Sequence, residues 1–260
     1  MSWRKFLAAL LFYTNLPLPA TIAADPAKLD FLGIAAYAPI IGIGLGAILS
    51  LLDDGLVWVI AWRDLGESML LLRSAVLILA LLWLTGGLHL DGAMDTADGL
   101  AVTDPQRRLE VMADSHTGAF GVMAAIAILM LKTIALAQIN QLRGWVLIVV
   151  LAWARWGQLR SIAAYAYLKP AGKGKFHKDS IKPWQPWLLF ALLGVFFAIA
   201  AVLTQQFWLI LPINLISVAI AWLVGAWFNH QLGGHTGDTY GAVVEWSEAL
   251  ILVLVAIWIN

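Results

Sequence analysis

Within "TGGLHLDGAMDTADGL", Thr85 to Leu100, Asp91, Asp95 and Asp98 stand four and three positions apart. On a helix that spacing puts all three side chains on one face. Carboxylates so arranged repel one another, and a divalent cation relieves the repulsion. With oxygen ligands, no cysteine in the chain and little histidine nearby, the pattern favours magnesium, with manganese as a substitute, over zinc. Magnesium keeps waters and bridges to substrate phosphate, so the stripe predicts phosphate chemistry as well as a metal. Gly86, Gly87, Gly92 and Gly99 leave room for backbone or ligand beside the acids. The competing explanation is a solvated helix end decorated by aspartates.

Further chemistry-bearing residues follow. In "TDPQRRLEVM", Asp104 is placed to cap a short helix with Pro105 at its first position, ending near Met112. That helix carries Arg107 and Arg108, each suited to bidentate phosphate contact or serving only as a topology signal. "DSHTGAFG" adds Asp114, a candidate general base alongside the three aspartates, and His116, a candidate substrate contact. "GHTGDTYGAVVEWSE" supplies His235, Asp238, Glu245 and Glu248, with Asp238 and Glu245 seven apart and so on one helical face. Acids inside an apolar span face the bundle interior and have partners, and Arg155 and Arg160 are the natural ones. These groups form either a second polar wall of the site or structural ion pairs. Lys132 and Arg73 read as snorkelling or helix-packing charges.

The elements that must position these residues are membrane helices. Of the 260 residues 62% are hydrophobic and only 12% charged, in long apolar blocks. About seven stretches match the roughly 20 apolar residues a spanning helix needs: 31–52, 68–90, 119–139, 144–168, 186–204, 207–229 and 240–259. The last but one pair, separated by "QQ", predicts a tight helical hairpin. Trp3–Thr14 reads as an interfacial amphipathic helix in preference to a signal peptide, because "NLPLP" is stiff and no small-x-small cleavage site follows. With no repeat and no linker, the expected fold is all-α: one polytopic transmembrane helical bundle over residues 1–260.

With the N-terminus inside, Arg4, Lys5, Lys28, Arg107, Arg108 and the five lysines of Lys169–Lys182 fall on the cytoplasmic side, leaving Arg63 and Arg143 opposite. The three polar segments, from Asp91, from Lys169 and from Asn229, then share the cytoplasmic face. A net charge of zero gives no reason to expect a nucleic-acid partner.

"GGLHLDGAMDTADGL", "RRLEVMADSHTGAFGV" and "GGHTGDTYGAVVEWSE", preceded by "FYTNLPLP" and "APIIGIGLGAILS", resemble in order the cobalamin synthase family, the adenosylcobinamide-GDP ribazoletransferases. The resemblance covers nearly the whole chain. It implies a magnesium-dependent enzyme of the bacterial cytoplasmic (inner) membrane that joins α-ribazole, or its 5′-phosphate, to adenosylcobinamide-GDP and releases GMP. Asp91, Asp95 and Asp98 would then hold one or two magnesium ions, and one of them or Asp114 would act as base. Arg107, Arg108, His116, Arg155, His235, Asp238 and Glu245 would be substrate contacts. The lysine-rich loop with His177 would hold GDP phosphates or the corrinoid rim, or only fix topology. Whether protomers form a homo-oligomer is left open.

Two rivals stand beside this expectation. "DTADG", Asp95 to Gly99, also matches the opening of the CDP-alcohol phosphotransferase motif, but no Ala-Arg follows at Val102–Thr103. An ion-coupled transporter would use the buried acids and bases, although such proteins place charge at mid-bilayer in broken helices.

Overall fold

The computed structural model describes residues 2–17, 29–63, 69–169 and 172–259. Lys28, one of the basic residues assigned above to the cytoplasmic side, lies outside them. Helix α1 (Trp3–Tyr13) is followed by a 3-10 turn (Ile34–Tyr37) that leads into α2 (Ala38–Trp62). Then come α3 (Leu70–Leu84), α4 (Leu88–Ala101), α5 (Pro105–Val111), α6 (Ala119–Gln138) and α7 (Arg143–Ala164). The chain finishes with α8 (Lys173–Ser180), α9 (Gln185–Thr204), α10 (Phe207–Leu232) and α11 (Gly237–Ile259).

Six of these helices, α2, α6, α7, α9, α10 and α11, are long and apolar enough to cross a membrane, and α3 with α4 makes a seventh if the bent pair is one span. The protein is a polytopic helical bundle. Helix α7 is its hub, with 83% of its apolar window buried against 28% for α9, and it packs on α2, α10 and α11. Helix α9 accordingly lies at the periphery of the bundle, with most of its apolar surface exposed. The hairpin expected at "QQ" is present, turned by Gln205 in the left-handed region at φ 56. Helix α1 forms at the expected place and buries Leu7, Ala8, Ala9 and Tyr13 against the 3-10 turn and α2.

Two element boundaries differ from the sequence reading. The first span continues ten residues past Leu52, because Asp53 is neutralised inside the bundle by Arg73 at 2.8 Å and Arg143 at 2.9 Å. An acid that looked like a helix end is therefore an internal ion pair, and Arg73 is its partner. The second span does not run straight through Leu90. It stops at Leu84 and turns by 91° into α4, because Gly86 and Gly87 take φ of 60 and 70, a backbone region open to glycine and strained for other residues. The Asn15 side-chain amide donates to the Trp83 carbonyl at 2.9 Å, tying the segment after α1 to this turn.

Candidate active site

Helix α4 carries the three aspartates on one stripe, as the spacing predicts, but their surroundings differ. Asp91 is exposed, Asp95 half-buried and Asp98 buried. The Asp98 carboxylate accepts the backbone N–H of Gly118 at 2.7 Å and of Gly121 at 2.8 Å, satisfying two of the amides that the first turn of α6 leaves without helical partners. Asp98 is thus committed to the α6 N-terminus, while Asp91 and Asp95 remain for other work.

A fourth carboxylate joins them from the other end of the chain. Gly92 lets α4 meet the start of α11 so closely that a Cβ there would lie 2.6 Å from the Asp238 carbonyl oxygen. The charges of Asp91 and Asp238 both bear on Asp95, and Lys169 opposes them. Lys169 Nζ is 2.8 Å from the Asp238 carboxylate, and Thr236 Oγ1 donates to the same oxygen at 3.2 Å.

Asp91 and Asp238 line one end of a cleft of about 220 Å³. Its walls come from five helices: Tyr13 on α1, His89 on α4, Gln158 on α7, His177 on α8 and Tyr240 on α11. The site is a cleft lined by two carboxylates inside a helical bundle, and the chain's relatives share nearly its full length. The family model for cobalamin-5-phosphate synthase matches residues 5–256.

The chain belongs to the cobalamin-5-phosphate synthase family. A protein of Trichormus variabilis named adenosylcobinamide-GDP ribazoletransferase is 50% identical over 97% of this chain and 96% of its own. One of the same name from Synechocystis sp. is 50% identical over 95% of this chain and 92% of its own. Another from a Prochlorococcus marinus strain is 36% identical over 98% and 96%. No solved structure matches the chain.

In this synthase-family bundle, several residues chosen from the sequence lie away from the cleft. Asp114 is exposed between α5 and α6. The backbone N–H and ring of His116 hold its carboxyl below the usual carboxylate range, which weakens it as a base, and both residues point to solvent. Arg107 is exposed on α5. Arg108 donates to the Val102 carbonyl at 3.1 Å and the Gln231 carbonyl at 3.0 Å, clamping the end of α4 to the end of α10. The Asp104 cap forms as expected, accepting from the Gln106 amide at 3.0 Å. His235 is fully buried, with ring nitrogens 3.1 Å from Thr239 Oγ1 and the Gly225 carbonyl, and burial pushes its imidazole down to about 4.

Glu245 and Glu248 are ion-paired, as expected for intramembrane acids; of the two partners expected, Arg155 is present and Arg160 is replaced by Lys132. Lys132 Nζ lies 2.5 Å from a carboxylate oxygen of each, and Arg155 lies 2.7 Å from Glu248. Lys132 is 2% exposed, too deep to snorkel, so of its two readings the helix-packing charge holds. Arg160 instead donates to the Tyr165 hydroxyl at 3.0 Å and lies over the Trp222 ring. The four-member group of Lys132, Glu245, Glu248 and Arg155 carries no net charge and joins α6, α7 and α11.

The cleft residues Tyr13, His89, Gln158 and Tyr240 were given no role in the sequence reading, although Tyr13, His89 and Tyr240 lie in segments that carry the family resemblance. Gln158 sits in an apolar helix, where a single polar residue has the pattern of any other core position. His89 had one usable cue: it lies in the same quoted block as Asp91, two positions before it.

Proposed function

We propose that the protein joins α-ribazole, or its 5′-phosphate, to adenosylcobinamide-GDP with release of GMP, at the cytoplasmic face of the bacterial inner membrane. The observation that carries the reading is that Asp91 and Asp238 line one cleft with Asp95 near enough to feel both charges, in a chain that matches a ribazoletransferase over nearly its full length. In the reaction a ribazole hydroxyl oxygen forms a bond to the phosphorus next to cobinamide. The bond from that phosphorus to the bridging oxygen breaks, GMP departs with the bridging oxygen, and the hydroxyl proton passes to a base.

The donor set fits a magnesium ion that is completed by substrate phosphate. Among the described residues no three acid or histidine side chains already converge as a ligand set, and Asp98 is taken by the α6 amides. Magnesium, however, needs only one or two carboxylates when phosphates and waters supply the rest, and Asp91 and Asp95 offer these with Asp238 alongside. Bound there, the ion would neutralise the diphosphate and stabilise charge on the departing GMP. Lys169, beside Asp238, is positioned to swing from that carboxylate to a phosphate oxygen, and a free carboxylate at the mouth would take the hydroxyl proton.

The test uses purified protein in detergent with magnesium, adenosylcobinamide-GDP and α-ribazole, and follows GMP. Release that depends on all three supports the reading. No GMP, together with CMP release from a CDP-alcohol and a lipid alcohol, overturns it.

A further inference from the structure

Polar atoms buried without a partner are costly, and native proteins hold few of them. Here six gather on one surface. The Tyr13 hydroxyl, His89 Nδ1, Gln158 Oε1, both His177 ring nitrogens and the Tyr240 hydroxyl have no hydrogen-bond partner among the described residues, and all five side chains line the cleft behind Asp91 and Asp238. Each of the five is at most 5% exposed. The Gln158 amide reaches His89 Nε2 only at 3.5 Å, leaving its own oxygen and His89 Nδ1 buried without a partner among the described residues.

The walls are flat as well as polar. Tyr13 lies near-parallel to His89, centroids 5.9 Å apart at 27°, and to His177, 6.3 Å apart at 19°. Phe12 meets the edge of His177 at 4.9 Å. Among the described residues no lysine or arginine lines the chamber and its charges are the two carboxylates Asp91 and Asp238, and burial pushes the His177 imidazole down to about 4, so that it is neutral. A cavity of about 220 Å³ equals roughly seven water volumes. That is the bulk of a two-ring heterocycle with part of a sugar, and far too little for a corrin macrocycle.

We infer that this chamber seats a nucleoside: an uncharged planar nitrogen heterocycle against the aromatic walls, its ring nitrogen and sugar hydroxyls hydrogen-bonded by Tyr13, His89, Gln158, His177 and Tyr240. The inference rests on the proposed function, which brings two nucleosides to the site, the accepting α-ribazole and the guanosine of the donor. Both share this chemistry, and either would leave its phosphate-bearing or reacting end at Asp91 and Asp238, with the corrinoid outside the cleft.

Tyr13→Phe and Tyr240→Phe remove only hydroxyls that have no protein partner, so they separate binding from folding. The measurements are KM for α-ribazole, KM for adenosylcobinamide-GDP, inhibition by GMP, and the thermal midpoint. The expected result is a rise of roughly 3- to 10-fold per hydroxyl in one nucleoside's constants, carried by KM more than by kcat, with the midpoint unchanged. A rise for α-ribazole alone places the acceptor in the chamber, and a rise for the donor and GMP places guanosine there. Constants unchanged for both while turnover persists, or a fall in midpoint without a binding change, overturns the chamber and leaves the proposed function standing. If the wild-type protein releases no GMP, the proposed function fails, and calorimetric binding of α-ribazole and GMP to the same variants still decides the chamber.

Discussion

Asp98 accepts the Gly118 backbone N–H at 2.7 Å, so the last turn of α4 is fastened to the first turn of α6. The bond gives one member of the aspartate stripe the work of a helix cap. Asp98→Ala is expected to lower stability by about 1–2 kcal/mol, read as a fall in thermal midpoint, while the magnesium concentration for half-maximal turnover stays put. A shift of that concentration with an unchanged midpoint would return Asp98 to the metal.

Asp91, Asp95 and Asp238 should behave in the opposite way. Each replaced by asparagine is expected to lose on the order of 100-fold or more in kcat/KM with little change in midpoint, since Asp91 is exposed and Asp95 and Asp238 only half-buried. Turnover within a few-fold of wild type in all three, measured by GMP release across a magnesium titration, sinks the assignment.

The buried four-charge group gives a stability prediction with an internal control. Lys132→Met leaves Glu245 without its cation in an interior where a stranded charge costs about 3–5 kcal/mol, and the protein should unfold at lower temperature or fail to accumulate. Adding Glu245→Gln restores neutrality, because Arg155 still answers Glu248 at 2.7 Å. Recovery in the double variant, followed by folded yield in detergent, checks the pairing; a double variant as poor as the single rejects it.

Two buried imidazoles outside the spans set an acid limit. His177 and His235 are both pushed down by burial, each to about 4, from an ordinary 6.5. Between those values the unfolded chain binds more protons than the folded one, so stability is intact above about pH 6.5 and is lost as pH falls towards 4, on the order of 3 kcal/mol per histidine. Thermal midpoints from pH 7.5 to 4.5 should fall, and less steeply in His177→Asn. A flat profile contradicts the neutral, buried state.

The spans were legible because lipid imposes one rule, apolar length, and α6, α7, α9, α10 and α11 obey it. The α2 boundary was not, since Asp53 reads as a terminus until Arg73 and Arg143, 20 and 90 residues away, are known to meet it. The stripe Asp91–Asp95–Asp98 was legible from helical periodicity, which is local. Its surroundings were not, because the amides bonded to Asp98 and the Asp238 carboxylate beside the cleft come from α6 and α11. The cleft walls are invisible for the same reason: Tyr13, Gln158 and Tyr240 become a site only when five helices bring them together.

The break after Leu84 reaches beyond the aspartates. Helix α3 has 15 residues, ~22 Å of rise, against a hydrocarbon layer of ~30 Å. A bilayer meeting so short an apolar wall thins to match it. On the flank where the chain turns into α4, thinning of that kind would draw water and headgroups inward towards the turn.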